Sequence, residues 1–181
     1  MPITRYWTTY WREKYWAVNE EHEPVESSGG SFRKRGVSIG DVLYIISQRF
    51  GQLLLGGRMT VGRIVTREEA ARIRKRKDLY NADEWVIGQK GSGTAFRQHR
   101  QLAPEITKQL RFVSGESATG KPLLFVNDRN LDRQTTRIVR ELTVESAALL
   151  DEIIEMTDDL TTLATISVRD LRRHRRGRRL C

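Results

Sequence analysis

The sequence predicts a mixed α+β fold: a small β-barrel flanked by helices, with a basic helical tail at the C-terminus. Three observations carry this expectation. Short apolar segments recur along most of the chain and are separated by turns containing Gly, Ser and Asp. The longest of them holds a Gly56-Gly57 pair, which marks the bulge or sharp bend that a barrel requires. Helical patterning occurs in only two internal stretches, so strands dominate.

Residues 1–14 carry Tyr6, Trp7, Tyr10 and Trp11, and a helix would place both pairs on one side. They read as an aromatic flap over the domain, with a dimer patch as the other reading. Residues 15–19 (YWAVN) read as a strand, and the Glu-rich and Ser/Gly-rich stretch 20–31 as a loop. Ile39-Gly40-Asp41 marks a tight turn ahead of residues 42–47 (VLYIIS), a continuously apolar strand covered on both faces. Residues 48–51 close a hairpin onto a third strand, 53–65. Thr66 is an N-cap with Glu68 and Glu69 in the first turn, and its helix runs to about Lys77. Residues 84–89 (EWVIGQ) form a fourth strand and 90–94 a loop. Residues 110–114 and 123–126 are further strands split by a turn at 115–122, and 137–142 is a last strand. Thr143 caps a helix through Met156, with Ala147, Leu150 and Ile154 on its apolar face and Ile153 beside them. Ser167 and Asp170 have the spacing of a capping box and start a final helix. Three units follow: 1–14 as the flap, 15–157 as the domain, and 158–181 as an Arg-rich tail.

Charge narrows the partner. Lys and Arg number 32 against 23 Asp and Glu, a formal net charge of +9. Seven arginines stand between 169 and 179 against Asp170, so six of the nine net charges crowd into the tail. An Arg-rich excess attracts polyanions and pairs with phosphate in a two-pronged fork, so DNA or RNA is the expected partner. The candidate phosphate contacts are Arg33, Lys34 and Arg35; Arg72, Arg74 and Arg76; and Arg172, Arg173, Arg175 and Arg176. No run of 18 apolar residues is present, so no membrane partner is expected. Cys181 is the only cysteine, which precludes an internal disulfide and points to the cytoplasm.

Catalytic patterns are thin. His22, His99 and His174 have no metal-pair spacing, so neither a metal nor a cofactor is expected. Residues 88–94 (GQKGSGT) are Gly-rich but lack the Lys-Ser/Thr ending of a phosphate loop. Asp128 and Asp132 flank arginines that explain them as local ion pairs. The sequence therefore reads as a binder and not an enzyme.

Four stretches occur in a telling order: YWAVN (15–19), FRKRGVSIGDVLYIIS (32–47), GQLLLGGRMTVGRIV (51–65) and EWVIGQ (84–89). Together they resemble the EVE branch of the PUA-like superfamily, which also contains the YTH and ASCH domains. The resemblance implies a pseudo-barrel whose mouth reads a nucleobase, often a modified one. It places Trp16 and Asn19 at the end of the first strand, Ser47 and Gln48 at the end of the second, Ser28 and Ser31 on the intervening loop, and Trp85 as a stacking wall. The ASCH likeness implies the alternative: a metal-dependent nuclease or an RNA-processing hydrolase.

Overall fold

In the computed structural model, residues 3–12, 26–29, 31–75, 77, 79–94, 100–115, 117–156 and 166–178 are described, with backbone alone at 26, 118, 174 and 176–178. Nine strands and five helices make up this part, confirming a mixed α+β fold.

The hairpin of β3 (Val42–Arg49) and β4 (Gln52–Val65) is its centre. Leu43, Tyr44, Ile45 and Ile46 are all buried, so both faces of β3 are covered, as its unbroken apolar run predicts. Phe50 (φ 48°) and Gly51 (φ 76°) form a two-residue turn between Arg49 and Gln52. Left-handed φ at both turn positions matches the twist of paired strands. Gly51 is required twice over, because a Cβ there would sit 2.3 Å from Asn130 Oδ1. The expected bulge is present: Ile45 pairs Gly57 while Ile46 pairs Leu55, which leaves Gly56 as the extra residue. The first half of β4 then pairs with β6 (Arg100–Leu102) and the second half with β5 (Glu84–Gly88), both on the side away from β3.

β1 (Tyr6–Tyr10) departs from expectation. It lies in the middle of the sheet, parallel to β3 and antiparallel to β9 (Arg140–Leu142), so this segment is neither a helix nor a flap. Aromatic and β-branched residues (YWTTY) suit a pleated, two-sided environment, and burial of Trp7, Thr8 and Thr9 outweighs the helical spacing of the aromatic pairs. Residues 15–19, expected as the first strand, lie outside the described residues.

The full order is β2-β5-β4-β3-β1-β9-β7-β8, with β2 (Glu26–Gly29), β7 (Arg111–Ser114) and β8 (Ser117–Pro122). Among the described residues the edge strands β2 and β8 do not pair, so the sheet is open and no closed barrel forms. Two further expectations fail. Residues 117–122 are a strand and not a turn, whereas 123–126 contribute only an isolated bridge, Phe125 to Leu131. Residues 26–29, expected within a loop, pair with β5.

Each face carries its own core. On one face α3 (Pro104–Thr107), α4 (Val144–Glu155) and α5 (Val168–Arg178) pack Ile106, Ala147, Leu150, Ile153 and Leu171 onto Tyr44, Ile46 and Leu55. Ile153 is the more deeply buried of the two candidate positions, and Ile154 packs at the margin. Thr143 caps α4 by accepting from Ser146 N at 3.3 Å, as predicted. Tyr44 Oη donates to Asp151 Oδ1 at 2.7 Å, and Arg58, its cross-strand partner, forms an ion pair with the same carboxylate. Burial, reinforced by Asp151, pushes the Tyr44 phenol well above its usual range, so this link stays neutral on the tyrosine side at every working pH. The opposite face buries Trp7, Phe32, Leu43, Met59, Val61 and Val86.

The helix starts are well encoded. α2 (Arg67–Arg74) opens on a reciprocal box, with Glu69 N donating to Thr66 Oγ1 at 3.3 Å and Thr66 N to Glu69 Oε2 at 3.1 Å. It ends at Arg74, one turn short of the expected Lys77, where Lys75 turns left-handed. α5 opens on the Ser167–Asp170 box, in which the Ser167 hydroxyl and then its amide donate to the Asp170 carboxylate and hold it below its ordinary range. α5 is not a detached tail. Leu171 is buried in the core with α4, and Arg175 binds Glu152 through two prongs of 2.8 and 2.7 Å.

Candidate functional site

Strand alternation sorts the side chains of β1 and β3. Because Thr9 pairs Ile45 and Trp7 pairs Leu43, the residues Trp7, Thr9, Leu43, Ile45 and Ser47 share one face. That face differs at its two ends.

At the starting end, Asp41 is buried and accepts from Trp7 Nε1 at 2.8 Å, Ser38 N at 2.8 Å and Arg5 N at 3.1 Å. The Arg5 guanidinium stacks over the Trp7 ring at 5.2 Å. Every prong of this knot is structural: it fixes the entry of β1 against the turn before β3.

The finishing end is polar. Thr9 Oγ1 and Ser27 Oγ of β2 lie 3.3 Å apart, and Trp11 Nε1 donates to Ser27 Oγ at 2.9 Å. Trp11 N donates to Ile46 O at 2.9 Å, which carries the indole past the end of β1 and lays it against Ile45 and Leu54. Leu54 is the register partner of Ser47. Ser47 is fully buried, and its Oγ finds no hydrogen-bond partner among the described residues. A buried hydroxyl left unmatched costs about 1–3 kcal/mol, so it is either a defect or a group kept for a ligand. Three hydroxyls and an indole donate and accept hydrogen bonds without changing charge near neutral pH. Such a set suits recognition of a flat polar molecule, not proton transfer.

The residues expected to form the pocket are not all brought together. Ser47 is at this end. Gln48, next on β3, turns to the other face, where its Nε2 donates to Leu131 O at 2.8 Å and its Oε1 accepts from Thr136 Oγ1 at 3.4 Å. Ser28 is the register partner of Trp85, and both face away from Ser27 and Val86. Trp85 is core, buried with Val65, Ala70 and Leu79 beneath α2, so it does not wall this site. Ser31 adopts a left-handed turn before the short helix α1 (Phe32–Arg35). Trp16 and Asn19 lie outside the described residues. Thr9 and Ser27 carry no signal in the sequence, and Trp11 is read there only as part of the aromatic flap, through the second Tyr-Trp pair at 10 and 11.

The basic candidates divide as well. Arg33 is a strap: its backbone N–H and guanidinium bind Glu84, and the guanidinium also reaches Ile64 O. Arg175 is paired with Glu152. Lys34, Arg35, Arg72, Arg74, Arg172 and Arg173 have exposed side chains. Arg76 and the side chain of Arg176 lie outside what is described. Among the described residues no three His, Cys, Asp or Glu side chains gather where a metal ion would bind. No helix of the described chain is long and apolar enough to cross a membrane. The sequence matches no protein-family model, and it matches no curated protein at a significant level.

Proposed function

We propose that this chain is a nucleic-acid-binding domain of the EVE type within the PUA-like superfamily, a reader of a single, often modified, base and not an enzyme. The base is held at the finishing end of the β1–β3 face. There the Trp11 indole supplies a flat apolar surface, and its swing away from Ser27 opens the buried hydroxyls of Ser47, Ser27 and Thr9 to the polar edge of the base. Exposed cations on α1, α2 and α5, Arg35, Arg72, Arg172 and Arg173 among them, take phosphates. Phosphate contacts position the strand and the hydroxyls select the base.

The observation that carries this reading is the unmatched, fully buried hydroxyl of Ser47, whose strand partner Leu54 packs against the Trp11 ring, in a chain of net charge +9. Ser47→Ala tests it with two readouts. Removing an unsatisfied hydroxyl is expected to raise stability by about 1 kcal/mol, or a Tm gain of roughly 2–4 °C for a chain of this size. Selection among bases in labelled single-stranded oligonucleotides should fall about tenfold while binding to a neutral-selectivity control strand holds, since 1.4 kcal/mol is one decade in affinity. A variant that loses stability and keeps full selectivity would show the hydroxyl to be a packing element.

A further inference from the structure

We infer that Arg140, flanked by Arg133 and Arg137, is a phosphate seat that takes one phosphodiester of the strand whose base is read at the Ser47 end. This rests on the base-reading function proposed above and gives a backbone contact a defined place in the fold, apart from the surface cations of α1, α2 and α5. Arg140 opens β9, where its Cα partner is Thr8. Its side chain is half-buried. The guanidinium lies 4.1 Å from the Phe112 ring centroid, and Nη1 donates to Thr135 O and Thr135 Oγ1, each at 3.4 Å. No carboxylate answers its charge. Glu141, the next residue, pairs with Trp7 and so faces the opposite side of the sheet. Burial lowers the Arg140 pKa, and no acid offsets that effect.

A half-buried cation without a counter-ion is a cost to the fold. Arginine is seldom withdrawn from water unless it is paired. A neutral side chain would cover Phe112 without that cost, so the charge is held for something outside the chain. The Phe112 ring covers one flat side of the guanidinium, and Thr135 takes the Nη1 edge. The Nε and Nη2 hydrogens meet no acceptor among the described residues. That edge is a two-pronged fork of the kind with which arginine binds a phosphate.

The adjoining turn adds charge of the same sign. Thr135 sits midway between Arg133 and Arg137, which are both exposed and form no ion pair among the described residues. Asp132, expected to pair with its neighbouring arginines, instead accepts from Gln134 N at 2.9 Å and shapes the turn. Thr136 Oγ1 donates to Gln48 Oε1 at 3.4 Å, which ties this turn to the finishing end of β3. Gln48 follows Ser47 and faces the other way. The base site and the phosphate seat thus lie on opposite faces of one sheet end. A strand that crosses this end lays a base on one face and a phosphate on the other.

The test measures the affinity of the full chain, of Arg140→Gln, and of the pair Arg133→Gln with Arg137→Gln for two strands of one mixed sequence: single-stranded DNA, and the same strand with uncharged methylphosphonate linkages. Arg140→Gln should weaken binding to the charged strand about tenfold, lower its salt slope by about 0.7, and leave affinity for the uncharged strand as in wild type. Its Tm should hold or rise, because an uncompensated charge leaves a half-buried place. The exposed pair should show the same pattern on the two strands, and it carries the test if Arg140→Gln fails to fold. Equal affinity of wild type and both variants for the charged strand, or an equal loss on both strands, would overturn the seat while leaving the base-reading function standing. A rise in wild-type Tm with sodium phosphate at fixed ionic strength, lost in Arg140→Gln while strand affinity is unchanged, would give the seat to a free anion and overturn the strand as its occupant. Wild type binding neither strand would overturn the base-reading function and the seat with it.

Discussion

Asp41→Ala is expected to destabilise the protein by about 3–5 kcal/mol, the cost of stranding the partners of a buried carboxylate. Asp41 is 3% exposed, and its two oxygens serve the Trp7 indole, the Ser38 amide and the Arg5 amide, with the Arg5 guanidinium 3.8 Å away. Alanine leaves an indole N–H and two backbone N–H groups without their acceptor at the point where β1 enters the sheet. Because β1 joins β3 to β9, loosening it separates the two halves of the sheet. Tm should fall by roughly 6–20 °C, and Asp41→Asn, which retains one acceptor oxygen, should recover part of the loss. Thermal unfolding followed by circular dichroism measures it. A cost below about 1 kcal/mol would mean that the knot is replaced by water at little expense.

Leu171→Ala is expected to cost about 2–5 kcal/mol, the range for truncating a leucine in a packed core. The residue sits among seven arginines in a stretch whose composition reads as a solvated tail. Its side chain is nevertheless 4% exposed and packs in the same cluster as Leu150, Ile153 and Ile166. The segment before it is also tied down: Ile166 N donates to Gln101 O at 2.8 Å, and Ala103 N donates to Ile166 O at 3.0 Å. α5 is thus both a structural helix and a carrier of charge. Removing residues 169–181 would unfold the domain as well as remove cations, so it does not isolate the phosphate contribution. Arg172→Gln, on the exposed face, should stay within about 0.5 kcal/mol of wild type. Denaturant titration of both variants separates the two roles, and a small effect of Leu171→Ala would return α5 to the status of an appendage.

What the sequence discloses is local. Thr66 with Glu69, Thr143, and Ser167 with Asp170 are each read from three or four adjacent residues, and each cap forms. The Gly56 bulge and the doubly covered β3 are equally local signals. What it conceals is long-range. Tyr-Trp pairs stand at 6, 10 and 15, and nothing within the pairs says which one is the first strand. Pairing with β3 and β9 decides it, more than 30 residues away at the nearest. Ser27 and Ser28 are neighbours of like chemistry, yet a one-residue change of register reverses which of them faces Thr9. Trp85 is assigned to the core by α2, which covers it from above. Arg33 and Arg175 look like free cations in sequence, but Glu84 and Glu152, 51 and 23 residues away, claim them.

If the Trp11–Ser47 end of the sheet selects a base while surface cations bind backbone, selectivity and salt dependence separate in a single experiment. The most direct measurement is an equilibrium titration with short single-stranded DNA and RNA oligonucleotides, each presenting one plain or modified base, repeated at several salt concentrations. At least a roughly tenfold preference for one base, about 1.4 kcal/mol, is expected, and it should disappear in Trp11→Ala while the salt slope, close to 0.7 per phosphate contact on a single strand, is kept. Equal affinity and equal slope for every oligonucleotide, unaltered by Trp11→Ala, would contradict it and leave only a basic surface attracting any polyanion.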